Sequence, residues 1–428
     1  MKNLLKPMFV LLLAFAARAV LRRYRPRIVM VSGSVGKTST KDAITAVLAA
    51  RLYVRGSDKS FNSEFGVPFT VLGVENPWMN PFAWLSVIRS AFALLILPNH
   101  YPSMLVLEVG ADRPGDLARI LKLATPDAVV ITRLPEIPVH VEAYASPEAV
   151  REEEFSPAFA LSAGAPLIIP ADDAYALESS KRTSARTLSY GDTESATVRI
   201  RDVGFYEKDG SVAGMRAQVS ADDEQESLVV EGSVGRTQLL PAAAALAVAR
   251  AFEIPLSEAL KALKMYEPPP GRGRLLHGKK GSVIIDDSYN ASPAAVEEAL
   301  AALKAFPMRP PAGGRRIAVL GDMLELGRYS VIEHERIASL VGQSADVIVT
   351  VGIRARAFGT APMNAQVIQF DNARAAARVL PDLVREGDVV LVKGSQSIRT
   401  ERIVEALLAD PKDVTKLVRQ EKAWKRRA

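Results

Sequence analysis

The 428-residue chain has no cysteine. That absence excludes a disulfide framework, thiolate metal sites and a cysteine nucleophile together, and it is compatible with a cytosolic protein. Aromatic residues are sparse, at 6%, and they do not interleave with basic residues as they do in single-strand nucleic-acid binders, so no nucleic-acid partner is expected. There is no internal repeat and no low-complexity block. The apolar run near the N-terminus, Pro7 to Ala17, stops at Arg18, short of the ~20 residues that a bilayer span takes. Charge of one sign is not spread through the chain: the net +6 sits at the two ends, in Arg18 to Arg27 and in a tail from Lys412 that closes with Lys425, Arg426 and Arg427. Such runs read as a solvated or membrane-facing surface.

What is present begins with RIVMVSGSVGKTSTK, residues 27 to 41. An apolar strand breaks into glycine, then into a lysine and hydroxyls, with a helix to follow. Gly33 and Gly36 let the backbone of Ser34 and Val35 wrap a phosphate, and the helix N-terminus favours its charge. Lys37 adds a mobile cation for the terminal phosphates, and Thr38, followed by Ser39, offers a hydroxyl to the magnesium that travels with ATP. The strict pattern wants glycine where Val31 stands, so the match is to a shortened GxxGKT form. A phosphate loop a few residues on also argues against reading the N-terminus as a secretory signal, despite the small residues Ala14 to Ala17. Two readings stay open: a helix packed on the protein, and one lying on a membrane surface. The expected location is cytoplasmic.

The chain reads as α/β. Residues 1–26 form the N-terminal apolar and basic helix. Residues 27–267 form a P-loop ATPase domain, with parallel strands at Ile28–Ser32, Met104–Val109, Ala128–Thr132 and Leu167–Pro170. Residues 197–231 alternate and turn at Asp209 and Gly210, as a small antiparallel appendage. Leu256, Ala259, Leu260 and Leu263 recur at helical spacing, and PPPGRGR, residues 268–274, is a stiff hinge linker. Residues 275–411 form a second, Rossmann-like domain with strands at Ser282–Asp286, Arg316–Leu320, Asp346–Val351 and Asp388–Lys393. Residues 412–428 are the basic tail.

Glu108 ends the second of the first set of strands. An acid at the carboxyl end of a parallel strand faces the crevice where such sheets bind ligands, which makes it a magnesium candidate. His140 follows the third strand on the same edge. Three clusters, DDSYNASP (286–293), VLGDMLELG (319–327) and LVKGSQS (391–397), each sit between a strand and a helix. Asp287 can accept from a ribose, Asn290 or Tyr289 can meet a base, and Lys393, Ser395 and Ser397 can hold an anionic or amine substrate. For any one cluster taken alone, turn and cap roles are the stronger account.

In order, GSVGKTSTK, FNSEFGVPFTVL (61–72), LEVGADRPGDL, HVEAYAS, GRGR, DDSYNASPAAV, VLGDMLELG and LVKGSQS resemble the Mur ligases from about Arg27 to Leu408. Within them the chain is most similar to the branch that adds D-alanyl-D-alanine to a UDP-N-acetylmuramoyl tripeptide in peptidoglycan synthesis. The resemblance implies an ATP-dependent carboxylate-amine ligase working through an acyl phosphate, with a nucleotide-sugar peptide and an amine or dipeptide as substrates. It implies that Lys37 binds phosphate, that Thr38 and Glu108 hold magnesium, and that His140 serves a second magnesium. Arg274 would reach the nucleotide phosphates from the linker, Asp287 the ribose and Asn290 the adenine, while Lys393 and Ser395 line the amine site.

There are departures. The family's UDP-sugar domain precedes the phosphate loop, whereas 31 residues precede Ser32 here, which raises the expectation of a partner chain supplying it. Arg151 stands where the family has a carbamylated lysine, and arginine forms no carbamate. Glu152, Glu153 or Glu154 is then the source of the missing negative charge. Thr237 and Gln238 replace a His-Asn pair, and Arg133 an asparagine. These changes keep a second reading open, a nucleotide-binding subunit that has lost ligation and serves a partner. The C-terminal clusters argue against an unrelated P-loop kinase.

Overall fold

The computed structural model describes residues 2–57, 61–77, 80–308, 313–360 and 364–425. Arg426 and Arg427 of the expected tail lie outside the described residues. Two sheets organise the chain. The first contains β1 (Arg27–Ser32), β2 (Val54–Gly56), β3 (Met104–Glu108), β4 (Ala128–Ile131), β5 (Pro166–Pro170), β6 (Arg186–Gly191), β7 (Val198–Lys208), β8 (Ser211–Ala221) and β9 (Glu224–Glu231). Their order is β2-β3-β1-β4-β5-β6-β7-β8-β9, parallel as far as β7 and antiparallel beyond. The chain leaves β1 toward β2 and β3, then crosses back to β4, so the carboxyl ends of β1, β3 and β4 open at a topological switch point, where open α/β sheets bind ligands.

Strand β1 is apolar from Ile28 to Val31 because both of its faces are covered. Val29 and Val31 face one core with Ile44, Val47 and the alanine-rich helix Leu240–Ala251. Ile28 and Met30 face a second core. Helices α1 (Lys2–Tyr24), α2 (Lys37–Leu48), α3 (Gly66–Leu72), α4 (Pro81–Ile96), α5 (Asp116–Leu121) and α6 (Pro147–Phe159) follow in chain order. Helix α1 is packed on the protein, with Leu13, Ala17 and Val20 in the second core. Among the described residues no helix is long and apolar enough to cross a membrane. The antiparallel strands expected at 197–231 form, turning at Asp209 and Gly210. They extend the first sheet at its edge, because β6 pairs with β7 and carries the hairpin into it.

The second sheet contains β10 (Arg274–His277), β11 (Val283–Asp287), β12 (Arg316–Gly321), β13 (Val347–Val351), β14 (Gln366–Phe370) and β15 (Val389–Lys393). The order is β10-β11-β15-β12-β13-β14, parallel except for β10. A core continuous with the first sheet's covers one face, and Phe205 of β7 meets Phe306 edge-on at 5.5 Å between centroids.

The tail is not simply a solvated run. Leu417 enters the core of the second sheet's other face. Arg419 is buried and donates to Glu401 at 2.9 Å and to the carbonyls of Ser288 and Tyr289 at 2.5 and 3.0 Å. A buried guanidinium with that many acceptors is neutralised rather than displayed.

Candidate active site

Gly33 and Gly36 have φ of 121° and 90°, a region costly for side chains. A Cβ at Gly33 would also collide with the Thr132 hydroxyl, so the loop fits only because that position is bare. The loop is pinned to the end of β4: the Ser34 amide donates to the Arg133 carbonyl at 3.1 Å, and Val35 bridges Arg133. Lys37 opens α2, its ammonium donating to the Gly33 carbonyl. Thr38 and Ser39 lie buried in the first helical turn.

Helix α6 supplies the loop's acid. It is N-capped by Ser146, with Pro147 at its first position. Its buried row runs Val150, Glu154, Ala158, one residue every four, which aims Glu154 at the loop. The Glu154 carboxylate is 4.0 Å from the Lys37 ammonium, accepts from the Ser34 hydroxyl and is 1% exposed. Burial pushes its pKa up, against the pull of Lys37 and Ser34. The other two candidate acids go elsewhere. Glu153 accepts from the amides of Gly115 and Leu117 at 3.1 and 3.0 Å, at the start of α5. Glu152 bonds Arg182 and the Tyr175 hydroxyl. Arg151 pairs with Glu148 at 2.9 Å and lies over the Tyr175 ring.

Glu108 is buried at the end of β3, in register with Val31. It is close enough to Asp42 for its charge to raise that pKa, where burial is the larger cause and Lys41 opposes. Lys41 is fully buried, 2.6 Å from Asp42, and donates to the Ser57 carbonyl. Among the described residues no three His, Asp or Glu side chains form a group able to hold a metal ion, so these residues by themselves offer no metal cage. Magnesium does not need one, since it keeps several waters and takes one or two carboxylates together with substrate phosphates. The Thr38 hydroxyl and the Glu108 carboxylate, hard oxygens on the edge that carries the loop, fit that demand.

His140 adopts φ 66° and sits between Glu325 of the second sheet's side, at 3.0 Å, and Asp112, at 3.5 Å. Burial works against its charging, yet Glu325 and then Asp112 carry its pKa above the ordinary histidine value. A second tie across the cleft joins Arg133 to Glu298 at 2.8 Å. A third was not foreseen from the sequence. Arg272 donates to the Thr38 hydroxyl at 3.1 Å while its guanidinium covers the Tyr289 ring at 4.3 Å. Arg274, two residues on, opens edge strand β10 opposite Asp286. The alternation GRGR was the available signal, but choosing between its two arginines required recognising β10.

The second-sheet residues expected in separate base, ribose and amine subsites form one hydrogen-bonded cluster. Lys393 is buried, 2.6 Å from Asp287 and 3.0 Å from the Asn290 carbonyl. The Asn290 side chain accepts from the Gln396 amide at 3.3 Å. The Ser395 hydroxyl accepts from the Leu324 amide at 2.8 Å, tying the 319–327 loop to the others.

Residues 31–249 match the Mur ligase middle domain, and residues 271–396 the Mur ligase, glutamate ligase domain. The UDP-N-acetylmuramoyl-tripeptide–D-alanyl-D-alanine ligase of Mycobacterium tuberculosis is 28% identical over 404 residues, covering 90% of this chain and 73% of that protein. The ligase of the same name from Bacillus subtilis is 26% identical over 400 residues, covering 92% and 79%. Among solved structures, the MurF ligase of Thermotoga maritima in complex with ADP superimposes with a TM-score of 0.75 at 27% identity, covering 95% of this chain and 84% of that one.

Proposed function

The chain belongs to the Mur ligase family, and we propose that it is an ATP-dependent ligase joining D-alanyl-D-alanine to a UDP-N-acetylmuramoyl tripeptide, as its relatives' names describe for them. The observation that carries the reading is the bond from Arg272 to Thr38. Because Arg272 also covers the Tyr289 ring, it links the phosphate loop of the first sheet to the loop after β11 that carries Asn290, a partner of Lys393, which supports a two-substrate ligation.

In this reading ATP phosphorylates the substrate carboxylate, the amine attacks the acyl phosphate, and phosphate leaves as the amide forms. The first step brings two anions together, and Lys37 lowers that repulsion at the terminal phosphates. Thr38 and Glu108 would hold magnesium, which supplies further charge neutralisation when bound. Glu154 keeps Lys37 aligned on the loop before ATP arrives, a negative charge that Arg151 does not provide. Arg272 clamps the first turn of α2, and Tyr289 beneath it offers a flat surface toward a base. Lys393 and Ser395 line the amine side. His140, held by Glu325, stabilises the approach of the two halves about the 268–274 segment. ATP as co-substrate places the reaction in the cytoplasm. With Glu154 facing Lys37, a subunit that has lost ligation is not the favoured reading.

The test is chemical. With ATP, magnesium and the UDP-linked tripeptide, hydroxylamine should capture a hydroxamate. With D-alanyl-D-alanine, ADP and phosphate should appear in step with amide. ATP hydrolysis without hydroxamate or amide would reject ligation.

A further inference from the structure

Helices α1 and α4 bury their inner rows in the same core: Leu13, Ala17 and Val20 from one, Val87 and Ala91 from the other. Their ends are stitched together. Arg23 donates to the carbonyls of Leu95 and Leu97 at 2.5 and 3.4 Å, and the Tyr24 hydroxyl to that of Leu94 at 2.7 Å. With both inner rows on one core, the outer rows look out from the same side of the molecule.

Those outer rows are apolar. On α1, Leu11 and Phe15 are 71% and 70% exposed; on α4, Phe82, Leu85, Phe92 and Ile96 are 82%, 65%, 60% and 67% exposed. Leaving so many large side chains in water on two adjacent helices is unlike the scattered exposure of an ordinary soluble surface. The stripe that begins with Leu11 and Phe15 continues along α1 at helical spacing into Arg18 and Arg22. These two join Arg25 and Lys122 around an open cavity of about 600 Å³ with no carboxylate among its lining residues.

We infer that this face docks on an anionic lipid bilayer, with the outer rows of α1 and α4 among the acyl chains and the Arg18, Arg22, Arg25 and Lys122 pocket on lipid phosphates. Charge complementarity selects the occupant. An apolar surface that passes directly into a cationic pocket matches the order of environments at an anionic membrane interface, acyl chain and then phosphate. Neither helix is long and apolar enough to cross, so both lie in the interface. The surface is separate from the loop at Gly33–Gly36, and its occupation does not require the ligase reading to hold.

The experiment is co-sedimentation of the full chain with vesicles of phosphatidylcholine alone or mixed with phosphatidylglycerol. Binding is expected to the mixed vesicles and to weaken as salt rises. Arg18→Gln with Arg22→Gln should lower partitioning roughly thirtyfold. Leu11→Glu with Phe92→Glu should abolish it, while circular dichroism and thermal unfolding of both variants stay at the unsubstituted level and show that they fold. Equal partitioning of all three chains, or none to anionic vesicles, would overturn the inference. So would a concentration-dependent increase in particle size, abolished by Leu11→Glu with Phe92→Glu and unaccompanied by vesicle binding, which would assign the face to a second copy.

Discussion

Lys37 and Glu154 stand 4.0 Å apart, one on the phosphate loop and one on the buried row of α6, although 117 positions separate them in the chain. The Ser34 hydroxyl completes the contact from the loop side.

Glu154→Gln keeps the shape and removes the charge. Hydrogen bonds to charged groups are worth about 1.5–3 kcal/mol, so turnover should fall roughly tenfold to a hundredfold, with magnesium saturation moved to higher concentration. Added bicarbonate should change nothing. Arg151→Lys should also confer no bicarbonate dependence, because that position faces Glu148 and Tyr175. Wild-type rates in Glu154→Gln at every magnesium concentration would make the acid purely structural.

Lys37→Ala removes the loop's ammonium. Loss of one such electrostatic contact to a reacting phosphate costs on the order of a hundredfold or more in rate. Calorimetric ATP titration should show weakened binding, while circular dichroism stays unchanged because Lys37 is not a core residue.

Arg272 and Arg274 should separate cleanly. Arg272→Lys cannot both reach Thr38 and cover Tyr289, since an ammonium has neither the fork nor the flat face of a guanidinium. It should raise the KM for ATP severalfold, and Arg274→Lys should disturb it less. The reverse ranking in steady-state kinetics would return the clamp to Arg274.

A pH signature is expected from Asp286, which is fully buried on β11, its pKa raised by burial from 3.8 to about 6. A carboxyl whose folded pKa lies above its unfolded value stabilises the fold in its protonated form. That contribution is fully present below pH about 4 and is lost as pH rises through about 6. Asp286→Asn should therefore flatten the fall in stability over that window, a difference approaching about 3 kcal/mol. Denaturant unfolding at pH 4 and pH 8 measures it, and parallel pH profiles for the two chains would contradict it.

How far the sequence could be read depended on the kind of signal. The strands that flank the phosphate loop are doubly buried, so their apolar runs and the bare glycines between them are legible without structure. The shorter strands β2 and β10 and the half-exposed β14 carry no such run, and missing β10 hid the choice between Arg272 and Arg274. Glu152, Glu153 and Glu154 are chemically alike, but each helical step turns the side chain by about 100°. Only the phase set by Val150 and Ala158 shows which of them meets Lys37. The joining of Asp287, Asn290 and Lys393 into one cluster depends on β11 and β15 being neighbours, a long-range pairing that no local pattern announces.

That pairing also fixes an order of assembly. β15 lies between β11 and β12, so the middle of the second sheet is its last strand to leave the ribosome, and Arg419, which braces Ser288 and Tyr289, emerges later still. The nine strands of the first sheet end at Glu231 and can pair while synthesis continues. Until residues 389–393 arrive, β10 and β11 have no bond to β12, β13 and β14, and the half-made second sheet exposes two unsatisfied strand edges. Premature termination before residue 389 would therefore leave a finished phosphate loop attached to an aggregation-prone half, a hazard for quality control during translation rather than for catalysis.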